Sequence, residues 1–496
     1  MTRPRPFAAA AAPSPGVARV VAALMAGAIG LQGCAIGPDY ERPAIATPAF
    51  YKEAPEQAGG ATWLPAAPAD ALERGDWWRL FGDADLDRLA ADVDAANQTI
   101  ASFVATYRQA QALVRGARAA RFPTLAAVGS ARRSGGRDTP EQSSFGLSLE
   151  GDWAPDLWGR LGRGVDSALA SEQANAADLA AARLSAQVEL AIDYFSLREA
   201  DAEIALLERT IDGFERALQI VRNRYDAGVV AKTDVLQAET QLASTRADIA
   251  NLRANRARFE HAIAVLAGKA PADFSLAAAP WVQAVPALPL GVPSALLQRR
   301  PDIASAERAV AVANDQIGIQ RSAYFPSLTL GASLSSGGSR IGDLFSVSGA
   351  LWSLGVSVAQ TVFDAGATRA RVAAAEAGRD VAVARYRQTV LTSFQSVEDQ
   401  LSIGRALAEQ QVLRRQASDA ADQTEQQILN RYRAGQLSYT EVVTAQASAL
   451  SARRALVQVA VSRQVSAINL IESLGGGWDV AAPVELESSM RPAAPR

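Results

Sequence analysis

The chain has 496 residues, 49 basic against 52 acidic for a net charge of −3, and its 49% apolar content includes only 6% aromatic residues. One Cys cannot form an internal disulfide, and one His with one Cys cannot build a His₂, His₃ or Cys₄ metal site. Near-neutral charge gives no basic field for nucleic acid, and a mean hydropathy of +0.01 fits a chain without a multi-span helical membrane domain.

The N-terminus reads as a processing signal. Arg3, Arg5 and Arg19 precede an apolar run, Val20 to Leu31, that ends in Leu31-Gln32-Gly33-Cys34. A basic start and a short apolar stretch make a secretory signal too short to span a membrane. Cys34 after a small residue resembles a bacterial lipobox, in which the thiol is diacylated and becomes the new N-terminus; Gln32 is a mild departure. Ala35, where Asp would favour inner-membrane retention, points to the outer membrane. Removing residues 1–33 takes away three Arg and no acid, leaving 46 basic against 52 acidic, or −6. One lipid anchor holds only reversibly, so stable attachment needs a second element. Residues 34–75 then read as a lipidated extended segment, Pro/Ala-rich over 43–70, with Trp77-Trp78 anchoring it against helices.

The rest is a duplication. Arg224-Tyr225-Asp226-Ala227-Gly228 matches Arg431-Tyr432-Arg433-Ala434-Gly435, and Thr233-Asp234-Val235 matches Thr440-Glu441-Val442, at an offset of 207. Arg121-Phe122-Pro123-Thr124-Leu125 matches Tyr324-Phe325-Pro326-Ser327-Leu328 at 203. The period is far too long for a solenoid. The expected units are residues 76–280 and 281–478, with a mobile tail over 479–496.

Each unit reads as helix, Phe-Pro, two short alternating segments, then a long helical hairpin. Proline is absent from Asp156 to Ala270 and from Ser327 to Ala482, which permits long helices. Arg160 to Tyr225 is mostly strong helix formers and predicts a helix of about 100 Å. Val383, Val390 and Val397, with Phe394 and Leu401, recur at coiled-coil spacing. Gly228 and Gly435 end the long helices, and Asp234 and Glu441 open the return ones.

In the second unit Leu328, Leu330, Ala332 and Leu334 alternate with Thr329, Gly331 and Ser333. Trp352, Leu354, Val356 and Val358 alternate with Ser353, Gly355 and Ser357. Weaker versions span Leu125 to Ala131 and Phe145 to Trp153, and Ser335 to Gly342 reads as a surface loop. Aromatic residues Phe122, Trp153, Trp158, Phe325 and Trp352 sit near the segment ends. By itself the pattern fits transmembrane β-strands and a soluble hairpin with one buried face equally well. The lipobox favours the first, and an open four-stranded sheet in lipid would have to be closed by further copies of the chain. Two copies give eight strands, a barrel filled by side chains; three give twelve, wide enough for a lumen.

These residues closely resemble the TolC-like outer-membrane efflux proteins, in their NodT-type lipoprotein branch. The resemblance is carried by Pro289-Leu290-Gly291-Val292-Pro293, Arg299-Arg300-Pro301-Asp302-Ile303, Ala313-Asn314-Asp315-Gln316-Ile317-Gly318, Tyr324-Phe325-Pro326-Ser327-Leu328, Trp77-Trp78 with Phe81-Gly82-Asp83, and Leu474-Gly475-Gly476-Gly477-Trp478. It implies a mainly α fold with a small transmembrane β part, four strands per chain completed to a 12-stranded barrel in a homotrimer. It also implies a passive duct docked to a periplasmic membrane-fusion adaptor and an inner-membrane pump of RND or ABC type, with no cofactor. The hairpin tips would meet the adaptor and close the duct. By position these are Arg224, Asp226, Gly228, Lys232 and Asp234 in the first tip and Arg431, Arg433, Gly435, Tyr439 and Glu441 in the second. Some relatives carry an Asp where this chain has Gln436, Leu437 and Ser438, so a gate on that carboxylate is not expected here. Alternative readings are a type I protein-secretion duct and a non-conducting periplasmic lipoprotein. An enzyme is not expected: His261 lies in an Ala-rich helix without Ser, Asp or Cys partners at useful spacing.

Overall fold

The structure, a computed structural model, describes residues 36–54, 76–286, 299–346 and 350–476. Cys34, the Pro289–Pro293 stretch, Gly477-Trp478 and the tail lie outside the described residues. The elements are α1 (Ala84–Ala96), α2 (Gln98–Ala119), β1 (Thr124–Gly136), β2 (Thr139–Trp153), α3 (Arg160–Asp226), α4 (Lys232–Leu266), α5 (Pro301–Arg321), β3 (Ser327–Gly338), β4 (Ala350–Ala359), α6 (Ala367–Arg433) and α7 (Tyr439–Ser473). The proline-free stretches contain α3 and α6, each 67 residues or about 100 Å of helix. Among the described residues no helix is long and apolar enough to cross a membrane.

The chain divides into two compact units. The first comprises residues up to Arg42, Gln111–Ser171 and Val310–Ala382; the second comprises Pro43–Ala110, Glu172–Ala309 and the residues from Val383 on. The first unit holds one antiparallel sheet in the order β1-β2-β3-β4. Leu125 lies opposite Gly151, Leu149 opposite Leu334, and Leu328 opposite Val358. The strands of the first repeat are longer than their alternation suggests, because Arg132, Arg133 and Ser134 continue the β1–β2 ladder. Ser335 to Gly338, expected as loop, extends β3 instead, since small residues fit opposite Phe145 to Ser148 of β2.

In the second unit Trp77 and Trp78 do anchor against helices. Both are buried, with Phe81, Leu86, Leu89, Tyr194, Phe195 and Ile468, in the largest apolar core. Asp83 caps α1 by accepting from the amides of Asp85 and Leu86 at 3.0 and 3.2 Å, and it takes the Tyr194 hydroxyl at 2.7 Å. The Tyr194 hydroxyl accepts in turn from Nε of Arg198, whose side chain is fully buried. That guanidinium also donates to Asp201 at 3.0 Å, Asp85 at 3.2 Å and the Ala277 carbonyl at 2.8 Å. A buried charge is tolerable only when its donors are satisfied in this way, so Arg198 ties α1, α3 and the segment after α4 into one body. The coiled-coil spacing holds too: Val390 and Val397 are fully buried and Leu401 nearly so.

Candidate functional site

Two features can do functional work: the sheet and the hairpin tips. Side chains alternate across a strand, and the register gathers most of the apolar ones on one face, with Val128 and Leu351 on the other. Leu125, Ala127, Leu147, Leu149, Leu330, Leu334, Trp352, Leu354, Val356 and Val358 share it. The other face carries Val128, Ser130, Ser148, Glu150, Asp152, Thr329, Ser333, Ser335, Ser353 and Ser357, with the Ser333 and Ser353 hydroxyls 2.9 Å apart. The apolar face is exposed in the single chain; Trp352 and Leu354 are 79% and 73% accessible. An uncovered apolar face opposite a polar one, in strands of 10–15 residues, has the dimensions and polarity of a lipid-facing barrel wall. Trp158 fastens one end, donating from Nε1 to the Pro326 carbonyl at 2.6 Å and stacking on Phe325 at 4.9 Å.

The described chain begins two residues past Cys34, and it is seated at once within this unit. The Ile36 amide donates to the Trp158 carbonyl at 3.3 Å, and Asn314 Nδ2 donates to the Pro38 carbonyl at 3.0 Å. Arg163 bonds Asp315 at 3.1 Å and faces Asp39 at 3.6 Å. Gly318 makes the close approach possible: a Cβ there would stand 2.8 Å from the Ile36 carbonyl oxygen and 3.0 Å from Arg163 Nε. The Asn314-Asp315-Gln316-Ile317-Gly318 motif is therefore the seat of the N-terminal segment. Farther along, within the second unit, Glu398 accepts from the Lys52 and Glu53 amides at 2.7 and 2.8 Å, and Tyr51 is buried beside Val397 and Leu401.

The hairpin tips turn where the sequence places them. Gly228 and Gly435 have φ of +73° and +74°, a conformation that costs other residues energy. Each closes the same helix-ending motif: Val229 N–H bonds the Arg224 carbonyl at 2.8 Å, and Gln436 N–H the Arg431 carbonyl at 3.0 Å. Behind the turns Phe214, Leu218 and Val221 of α3, Val235, Ala238 and Leu242 of α4, Tyr432 of α6 and Tyr439 and Val442 of α7 form one core.

The site residues distribute unevenly. Arg224 crosses from the first hairpin to the second, its guanidinium 4.8 Å from the Tyr432 ring centre and donating to the Tyr432 carbonyl at 3.4 Å. Tyr432 packs on Tyr439 at 5.6 Å. Lys232 lies over its own hairpin's Tyr225 at 5.4 Å. Burial first, then Tyr432 and Asp234 nearby, push Tyr439 up to about 12, so it serves as a neutral aromatic wedge. Asp226, Arg431, Arg433 and Glu441 are exposed and are not drawn into one cluster within the chain. Tyr432 was not among the tip residues expected from the sequence, although its alignment with Tyr225 at 207 marks it. His261 is exposed, and among the described residues no His, Cys, Asp and Glu group could hold a metal.

A sheet with one uncovered apolar face, joined to paired long helical hairpins, fits an outer-membrane channel subunit. The sequence profile described as "Outer membrane efflux protein" matches residues 89–269 and 292–476. At 29% identity the chain is similar to the cation efflux system protein CusC of Escherichia coli O6:H1, over 91% of this chain and 97% of that protein. At 30% it is similar to the outer membrane protein OprJ of Pseudomonas aeruginosa, over 94% and 97%. The solved structure of the outer-membrane channel OprN superposes with a TM-score of 0.79 at 31% identity, covering 90% of this chain and 100% of that one. The chain belongs to the outer membrane efflux protein family. It is an efflux channel component, not an enzyme.

Proposed function

We propose that three copies of the chain close their sheets into a 12-stranded barrel and form a passive exit duct. The duct is anchored to the outer membrane by lipid on Cys34 as well as by the barrel. It docks through its hairpin tips to a periplasmic membrane-fusion adaptor and, through that, to an inner-membrane pump of RND or ABC type. The observation that carries this reading is the four-stranded sheet, apolar on one face and polar on the other, with β1 and β4 each paired on one side only. In lipid such edges must be satisfied by another chain. The seat at Gly318 and Arg163 supports the anchor, since it holds the segment that leaves Cys34 beside Trp158, in the connection that follows β2. The tip residues named above form the closure, with Arg224 on Tyr432 linking the two hairpins.

Names of the relatives span cations, antibiotics and toluene, so cargo choice is assigned to the pump and adaptor, and this duct carries drugs or toxic small molecules. The test has two parts. Detergent-extracted protein should have the mass of three chains, and its gene should restore export of a fluorescent dye to cells that hold a matching adaptor and pump but lack their duct. A stable monomer, or no restored export, would overturn the reading.

A further inference from the structure

β1 and β4 are edge strands of 13 and 10 residues, exposed throughout, with no proline to guard them. Edges of that length with no proline to block pairing invite another strand. The internal duplication says which strand and in which register. Within the chain, β2 ends one repeat's strand pair and β3 begins the next, so the β2–β3 joint is a repeat-to-repeat contact. β4 is the counterpart of β2, and β1 is the counterpart of β3. A second copy placed after the first would therefore make the same joint again, between β4 of one chain and β1 of the next.

The numbers follow from the two offsets. Phe122-Pro123 maps onto Phe325-Pro326 at 203. The β1–β2 pair Leu125 and Gly151 then falls on the β3–β4 pair Leu328 and Val358 only if β2 maps onto β4 at 207, the offset that also relates the hairpin tips. Carrying Leu149 opposite Leu334, Glu150 opposite Ser333 and Gly151 opposite Ala332 through those offsets gives the intermolecular pairs.

We propose that β4 pairs antiparallel with β1 of a second copy so that Val356 lies opposite Ala131, Ser357 opposite Ser130 and Val358 opposite Gly129. This rests on the trimeric reading above and adds its register. Three features of the chain agree with it. First, Val356 and Val358 are on the apolar face, as are Ala131 and Gly129, while Ser357 and Ser130 share the polar face. A slip of one residue would turn β4's apolar face inward. Second, large meets small: Arg132 falls opposite Gly355, Val358 opposite Gly129. Third, the same line extended beyond Ala359 sets Val362, 93% exposed, opposite Leu125, 75% exposed, and so covers two apolar side chains that the single chain leaves bare.

The test uses the full-length protein with Ser130→Cys and Ser357→Cys together, extracted in detergent and treated with a mild oxidant. In one chain β1 and β4 are separated by three strand spacings, about 14 Å, beyond disulfide reach, so every link joins two chains. The expected result is conversion to bands of two and three chains on denaturing gels. Ser357→Cys with Val128→Cys, or with Arg132→Cys, keeps the same face but is two residues out of register, and should link at least fivefold less. A shifted pair linking as well as the proposed one would overturn the register. So would the absence of any link in protein that has the mass of three chains. Protein that is monomeric before cross-linking would instead overturn the trimer beneath it.

Discussion

Arg224→Ala tests whether the contact between the two hairpin tips holds the duct closed. The substitution removes a guanidinium 4.8 Å from the Tyr432 ring centre and a 3.4 Å hydrogen bond to the Tyr432 carbonyl. A partly exposed cation–π contact contributes about 0.5–1 kcal/mol, and so long a hydrogen bond lies at the weak end of the range, about 0.5 kcal/mol. Together they come to about 1 kcal/mol, or about a fivefold shift between engaged and separated tips. The assay is open probability in planar bilayers at fixed salt and voltage, where Arg224→Ala should raise the open fraction about fivefold from a mostly closed state. The matched control is Arg222→Ala. It removes the 2.7 Å pair with Glu239, which joins α3 to α4 inside one hairpin, and should leave the open fraction unchanged. Equal behaviour of the two variants would refute the reasoning.

Gly318→Ala should unseat the N-terminal segment, because its methyl would stand 2.8 Å from the Ile36 carbonyl oxygen; hydrogen exchange at Ile36 to Tyr40 should speed up while the tips stay protected, and unchanged exchange there would contradict the seat. Cys34→Ser should abolish radiolabelled-palmitate incorporation, and persistent labelling would place the anchor elsewhere. Glu199 is pushed up to about 7, first by burial and then by Glu203. The folded chain therefore holds a proton that the unfolded chain releases near 4.5, and stability falls as pH rises through that window. Glu199→Gln should flatten this slope and raise the melting temperature at pH 8 by about 2–4 °C, with little change at pH 4.5; an equal shift at both pH values would remove Glu199 as the source.

The helices were legible because few residues govern them. Proline-free stretches permit helices as long as α3 and α6, and Gly228 and Gly435 end them, since a left-handed helix end is a local requirement. The strands were partly legible. Strict alternation marked β3 and β4, but at the ends of β1 and β3 the residues are Arg, Ser and Gly, and only the partner strand makes them β. Arg198 could not be found from the sequence. It sits in a run of ordinary helix formers, and its burial depends on Tyr194, Asp85, Asp201 and the Ala277 carbonyl arriving from three segments. Gly318 belongs to a motif that carries the family resemblance, yet its reason, the close pass of Ile36, exists only in three dimensions. The burial of Tyr439 could not be read from its place in the tip, because only packing shows that the second tip tucks its tyrosines inward while Tyr225 of the first stays exposed.

The central claim is that this chain conducts. Purified protein, reconstituted into planar bilayers without adaptor or pump, should give discrete channel steps, small at rest and larger when Arg224→Ala loosens the tips. A membrane that stays silent with both proteins, despite insertion verified by protease protection of the sheet, would contradict it.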